Sequence, residues 1–463
     1  MIEGLMPYAE YKESGSKWLG AVPVKWEVRN LRTLISKRAE RDRPDLPLLS
    51  VAREKGVFVR SMTDADENHN VIPDDLTNYK VARAGNLVIN KMKAWQGSMG
   101  IAPCDGIVSP AYFVFDFRIV NHAFGQRLFR SKPYVAHFGQ ASDGVRIGQW
   151  DLSIPGMRQI PVLVPSEDEQ AGIVRFLDHA NRKIDGFVRA KRKLIGLLNE
   201  QKQAIIHRAV TGRTEVSGQK SAVSLKPSGI PWLGDIPMHW EVRRAKYLFR
   251  EVDDRSKEGK ETHLAMSQRL GLVPSNMVES AMRSESYAGA KLCREGDLVL
   301  NRLKAHLGVF ALAKQGGVIS PDYSVFRKRA AISMEYYESV LKSSACRREL
   351  RIRAKGLVEG FWRLYTDDFY DIRLPVPPLD EQKEIMTAMT VETAALTTAI
   401  ARTEREIALM QEYRTRLTAD LVTGKLDVRE VAAKLPAPVA DETAEPAADE
   451  PLEDAETGAE QEE

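Results

Sequence analysis

The chain has 463 residues, 43% apolar and 28% charged, with a formal net charge of +3. That length allows two to four domains, each large enough for its own core. Its three cysteines, Cys104, Cys293 and Cys346, lack metal-ligand spacing and argue against a disulfide framework. No apolar run approaches a bilayer span, and no signal sequence is evident at the start, so a soluble protein of the cytoplasm is expected. The small net charge hides an asymmetry: Asp441 to Glu463 holds eleven acids and no Lys or Arg, and without them residues 1–440 carry +14. A basic body suits a polyanionic partner, and a solvated mixed-charge surface accounts for it as well. The tail reads as disordered and solubilising.

The chain repeats itself in order. Trp18-Leu19-Gly20, Pro23 and Trp26-Glu27-Val28-Arg29 return as Trp232-Leu233-Gly234, Pro237 and Trp240-Glu241-Val242-Arg243. Gly85-Asn86-Leu87-Val88-Ile89-Asn90-Lys91 returns as Gly296-Asp297-Leu298-Val299-Leu300-Asn301-Arg302, and Ser109-Pro110 with Tyr112 as Ser320-Pro321 with Tyr323. Gly144, Gly148, Trp150, Asp168-Glu169-Gln170 and Thr211-Gly212 have counterparts in Gly356, Gly360, Trp362, Asp380-Glu381-Gln382 and Thr423-Gly424. The unit of about 210 residues far exceeds a solenoid repeat. Each copy opens with a Gly-, Pro- and Trp-rich segment read as a structured loop. β-like runs follow at Leu48–Val51, Asn86–Ile89 and Ala111–Phe115, and at Asp297–Leu300 and Tyr323–Phe326, then a helical stretch clearest over Ser333–Lys355. Each unit is therefore α+β.

Long helices close each copy. Ile173, Leu177, Ala180, Ile184, Phe187, Lys191, Leu194, Leu198, Gln201 and Ile205 alternate steps of four and three, a coiled-coil seam. Ile385, Met389, Glu392, Leu396, Ala399, Thr403, Glu406, Met410, Tyr413 and Leu417 repeat it more weakly. Asp168 and Asp380 fit an N-cap or first turn, and Gly212 and Gly424 fit helix stops. Helices of about 40 residues would each extend roughly 60 Å. They are expected to pack on each other antiparallel as a ruler between two heads; the alternative is two independent rods, each on its own head.

Reactive constellations are absent from the sequence. There is no phosphate loop and no Gly-x-Gly-x-x-Gly, and the eight histidines stand apart from any second ligand. Neither a catalytic residue nor a metal site is assigned. Candidate contacts with nucleic acid follow the strongest strand of each copy: Asn90, Lys91, Lys93 and Trp95, matched by Asn301, Arg302, Lys304 and His306. Lys and Arg can neutralise phosphates, Arg can grip guanine, and Asn can pair with adenine. A second loop carries Arg146, Gln149 and Trp150, paired with Glu359, Phe361, Trp362 and Arg363, where the tryptophans fit core anchors better than base stackers. Arg53/Glu54 with Gln268/Arg269 form a third, weaker pair. Framework residues repeat while contact positions change, Trp95 to His306 and Arg146 to Val358, which implies an asymmetric two-part target.

The whole resembles the specificity subunit of a type I restriction-modification system over about residues 12–430. The resemblance rests on the WLGAVPVKWEV and WLGDIPMHWEV openings, the PSEDEQAGI and PPLDEQKEI helix starts, and the AVTG and LVTG helix ends. It implies two α+β target recognition domains joined by two long helices that form an antiparallel coiled coil. The corresponding divisions are 1–165, 166–212, 213–377, 378–424 and an acidic tail at 425–463. It also implies a noncatalytic reader of split double-stranded DNA, held by two modification (methyltransferase) subunits. S-adenosylmethionine, ATP and Mg would reside in partner subunits, with restriction subunits left open. Asp168, Glu169, Gln170, Asp380, Glu381 and Gln382 are the expected partner-binding residues. The first helix start departs from the second, with Ser166-Glu167 where the other has Pro378-Leu379. A standalone DNA-binding regulator and a coiled-coil adaptor are the rival classes.

Overall fold

The computed structural model describes residues 5–60, 75–146, 149–213, 224–268, 270–278, 287–356 and 362–436. Gly148, Arg269, Val358, Glu359, Gly360, Phe361 and the stretch from Asp441 lie outside them, as do the side chains of Arg146, Gln149 and His306. Two compact units emerge, one from Met1–Ala190 with Glu406–Ala444, the other centred on Lys191–Arg405. Each unit thus holds one head, the first half of one long helix and the second half of the other.

The first unit is built on a four-stranded antiparallel sheet in the order Ile35–Lys37, Tyr112–Phe117, Leu87–Asn90, Met99–Ile101. The second repeats it with Phe249–Val252, Tyr323–Lys328, Leu298–Asn301 and Phe310–Leu312. The central runs are continuously apolar because both faces are covered. Leu87, Ile89 and Phe115 pack toward the helices His122–Phe129 and Lys132–Gln140, while Val88 and Val114 pack under the hairpin Leu49–Ala52/Gly56–Val59. In the second unit Leu298, Leu300 and Phe326 join the helix-side core, and Val299 and Val325 the hairpin side.

The opening segment is more regular than a loop. Glu27–Asn30 pairs antiparallel with Pro161–Val164, and Glu241–Arg244 with Arg373–Val376, so its strand closes onto the residues just before each long helix. The helical stretch over Ser333–Lys355 is two helices, Met334–Lys342 and Ser344–Arg353. Ser343 breaks it in an extended conformation, and its Oγ accepts from the Cys346 amide at 3.3 Å, serving as N-cap.

The long helices run Glu167–Val210 and Leu379–Val422, 44 residues each. They are antiparallel: in the first unit Asp185 pairs with Arg414, and in the second Lys202 Nζ donates to Thr397 Oγ1 at 3.0 Å and Arg208 pairs with Glu392. Partner numbers fall along one helix as they rise along the other, which rules out independent rods. The heptad register needs correction beyond Ile184. Val188 and Ile195 are buried, whereas Leu194 is 40% exposed and Gln201 faces solvent. Leu177 to Val188 and Ile184 to Ile195 are eleven-residue steps, which suit 3.6 residues per turn better than a strict heptad does. In the second helix Thr393 replaces Glu392 on the seam; Thr393 and Thr403 are buried with their hydroxyls donating to the carbonyls of Met389 and Ala399, both at 2.8 Å.

The repeated motifs at helix ends and openings fit each other. Gly212 and Gly424 end the helices at φ +71° and +76°, in the left-handed region that favours glycine. A Cβ on Gly212 would stand 2.4 Å from Pro237 Cγ and 3.0 Å from Trp240, and one on Gly424 2.5 Å from Pro23 Cδ and 3.1 Å from Trp26. The Thr-Gly motif of one copy is therefore the seat for the Pro-x-x-Trp motif of the other.

The boundary placed at 425 falls too early. Leu426, Val428, Ala432 and Leu435 join the first core, Arg429–Ala433 is a short helix, and the Asp427 amide donates to Met6 O at 2.8 Å. Alternating apolar residues before Pro436 give this segment enough buried surface to order.

Candidate nucleic-acid interface

In both heads the strongest strand runs into one cassette: a turn, a single 3-10 turn (Ala94–Gln96 or Ala305–Leu307), and a glycine at φ +90° (Gly97) or +80° (Gly308) that sends the chain back. Asn90 Oδ1 accepts from the Met92 amide at 3.2 Å; Asn301 Oδ1 accepts from Leu303 at 3.1 Å and Lys304 at 3.3 Å. The shared Asn thus holds the turn through its side-chain carbonyl. Its side-chain NH2 takes no part in these turn contacts. Arg302 is likewise held: Nε donates to Asp322 O at 2.9 Å, a second nitrogen to Pro321 O at 3.3 Å, and its side chain is only 26% exposed.

The first and second candidate loops form one surface in each head. In the first, Lys91 Nζ pairs with Asp151 at 2.9 Å, the Leu152 amide donates to Lys91 O, and Trp95 packs on Trp150 with ring centroids 5.0 Å apart. Both tryptophans are half-buried, and the Trp95 indole donates to Met92 O. In the second head the Leu364 amide donates to Arg302 O, and Arg363 reaches Asp322 at 3.4 Å. Arg351 lies 5.3 Å over the Trp362 ring. Asp151 and Arg363 occupy matching positions, so an acid beside the cation in one head becomes a second cation in the other. Lys93 is exposed, Lys304 half-buried and Arg363 exposed. These groups, with Lys91, can meet phosphates. Arg53 and Gln268 are exposed on the hairpin turns after Ala52 and Ser267, apart from this cassette in sequence.

Two lysines overlooked in the sequence support the same surface. Lys80 Nζ donates to Pro110 O and Tyr112 O at 2.6 Å, and its counterpart Lys291 to Tyr323 O at 2.8 Å. Burial pushes both ammonium groups below their ordinary pKa. Each pins the Ser-Pro-x-Tyr turn; the signal was a Lys recurring within two otherwise apolar strands, Lys80–Ala82 and Lys291–Cys293.

The helix-start residues divide differently from the expectation of a partner surface. Asp168 and Asp380 are exposed. Gln170 is buried: Oε1 accepts from the Asn121 amide at 3.1 Å and Nε2 donates to Pro165 O at 2.9 Å. Gln382 does the same with Ser333 and Pro377, both at 2.8 Å. Glu169 is buried and accepts from Tyr8 Oη at 2.5 Å, while Glu381 accepts from Trp240 Nε1 at 2.9 Å and contacts His239 at 2.8 Å. Correcting the partner-binding reading, Glu169, Gln170 and Gln382 tie helix to head and are withdrawn from the surface, and Glu381 serves the second head. Gln170→Ala or Gln382→Ala should each lower unfolding stability by about 1–3 kcal/mol, since a half-buried backbone amide and a buried proline carbonyl lose their partner. Urea titration checks this.

Among the described residues, no group of three His, Cys, Asp or Glu could hold a metal, and no helix is long and apolar enough to cross a membrane. Cys293 and Cys346 are buried thiols, and burial pushes the former up to about 11.

No protein-family model matches the chain. Among solved structures, a chain from a type I R-M (restriction-modification) system aligns with 87% of this chain and 98% of its own, at 14% identity and a TM-score of 0.57. The two share one fold. Also similar are an HsdS subunit from Thermoanaerobacter tengcongensis, at 15% identity, 87% and 96% coverage and a TM-score of 0.39, and a type I S subunit from M. genitalium, at 10%, 86% and 96%, and 0.32. The fold of mixed α+β heads and paired long helices is shared with the first of these structures over 87% of the chain.

Proposed function

We propose that this protein is the noncatalytic specificity subunit of a type I restriction-modification complex, reading a split, asymmetric double-stranded DNA target. The observation that carries the reading is the pair of matched cassettes: one scaffold, built twice, with Lys91, Asp151, Trp95 and Trp150 in one head and Arg302, Arg363, Lys304 and Trp362 in the other. Equivalent positions with different side chains suit two half-sites of different sequence. The fold shared over 87% of the chain supports the same reading. Modification subunits would engage the long helices, where Leu197, Val391 and Leu409 are 54%, 73% and 63% exposed; methyl transfer with S-adenosylmethionine, and any ATP- and Mg-dependent cleavage, would reside in partners.

Mapping methylated bases across the native genome with and without this gene tests the assignment. Loss of one gapped, asymmetric motif is expected; an unchanged map in a strain that expresses the gene counts against it. Lys93→Glu should weaken the assembled complex on its target by about tenfold and lower the salt slope by roughly one, with Lys304→Glu acting on the other half-site. Fluorescence anisotropy across a salt series gives the readout. Loss without a change in slope would remove Lys93 from the phosphate-contacting set.

A further inference from the structure

A cleft of about 840 Å³ lies wholly within the first unit, between the helices His122–Phe129 and Lys132–Gln140, the hairpin after Gly56 and the last turns of the second long helix. Its wall carries Arg127, Arg130, Lys132 and Arg414 and no carboxylate. Asp178 and Asp185, from the first long helix, pair with Arg127 and Arg414 without lining the cleft. Arg130 makes no ion pair among the described residues; one of its terminal nitrogens donates to the carbonyls of Arg53 and Glu54, and burial pushes its pKa down. Nε of Arg130 and Nε of Arg414 are buried donors without an acceptor. Lys132 is exposed and unpaired among the described residues. With Arg127 and Arg414 paired to acids behind the wall, Arg130 and Lys132 leave positive charge on it without a carboxylate partner, which an anion in the cleft would offset.

Comparison with the second copy removes the scaffold as an explanation. Arg127, Arg130, Lys132 and Arg414 correspond to Ser339, Lys342, Ser344 and Lys202. Lys342 is paired with Glu338 at 2.7 Å, and Lys202 donates to Thr397. The same fold thus forms without the cluster. The cleft also stands at the start of the helix Lys132–Gln140, whereas Trp95 of the reading cassette meets Gly139 near its end, roughly 10 Å along the axis.

We propose that this cleft binds a small phosphate-bearing anion of nucleotide size, at a site separate from the DNA-reading cassette. The volume falls within the range of small-ligand sites, and Val57, Ile101 and Pro103 give it an apolar wall beside the cations. The half-buried guanidinium groups of Arg127 and Arg130 and the exposed Lys132 line the cleft and can meet phosphate oxygens.

Calorimetric titration of the full chain with ADP in EDTA is the test. Saturable one-site binding is expected, with pyrophosphate competing and adenosine not binding. Lys132→Glu, which disturbs no contact in the fold, should weaken ADP by about tenfold or more. Arg130→Gln should do likewise, with its melting curve recorded because Arg130 also holds the hairpin. Absence of saturation at millimolar ADP, equal binding of adenosine, or unchanged affinity in Lys132→Glu overturns the proposal. Displacement of ADP by random-sequence duplex would make the cleft a contact for DNA phosphates and overturn the separate site. Persistence of ADP binding beside duplex supports it, whatever the outcome of the methylation map.

Discussion

Trp240→Ala is expected to lower unfolding stability by about 3–5 kcal/mol, a large fraction of the total for any domain. The ring has 0% exposure and sits against Gly212, which ends the first long helix, while its indole N–H donates to Glu381 at the start of the second. One side chain therefore joins a helix end, a helix start and the opening strand of the second unit. Trp26 has the same burial and seat, against Gly424, but its indole nitrogen has no acceptor, because Tyr8 donates to Glu169 instead. The two phenylalanine substitutions should consequently differ. Trp240→Phe loses packing and a charge-assisted hydrogen bond, whereas Trp26→Phe loses packing and removes an orphaned donor. A gap of about 1–2 kcal/mol in urea unfolding is expected, with Trp240→Phe the weaker protein. Equal losses would mean that the Glu381 contact contributes nothing.

What could be read from the sequence was what repeats locally. The duplication, the apolar strands around Leu87–Asn90 and Leu298–Asn301, and the two helices ending at Gly212 and Gly424 all carry dense short-range signals. The pairing of Glu27–Asn30 with Pro161–Val164 was illegible because its partners lie far apart in the chain. Gln170 and Gln382 look like surface residues by type, and only the fold shows that they bind backbone 49 residues away. The same applies to the site. The segment after the strongest strand and the loop bearing Trp150 both stood out as candidates, but nothing in either announced that they form one surface. Repetition also marks scaffold: Asn90 and Asn301 both hold the turn, as any recurring structural residue would. Positions that differ, Asp151 against Arg363, are where the two proposed half-sites would be told apart.

The second large effect concerns the spacer of the proposed split target. Because each unit combines the beginning of one long helix with the end of the other, seven residues must be removed from both helices to keep the antiparallel pairs in register. A heptad turns a helix by whole turns to within about 20°, so the packed faces are retained. It shortens each helix by about 10 Å, the length of about three base pairs. If the paired helices set the spacer, the preferred target should keep both half-sites and lose about three base pairs between them. Affinity should fall as well, since three base pairs also turn the duplex by roughly 100°. Selection from a library with both half-sites fixed and the spacer varied measures this directly. An unchanged spacer in a variant that still binds would show that the distance is set elsewhere, while one recovered half-site with the other lost would place the damage in a single head. Deleting the heptad from one helix alone should be far worse, because the pairs Asp185–Arg414 and Arg208–Glu392 cannot both survive a one-sided shift of seven residues.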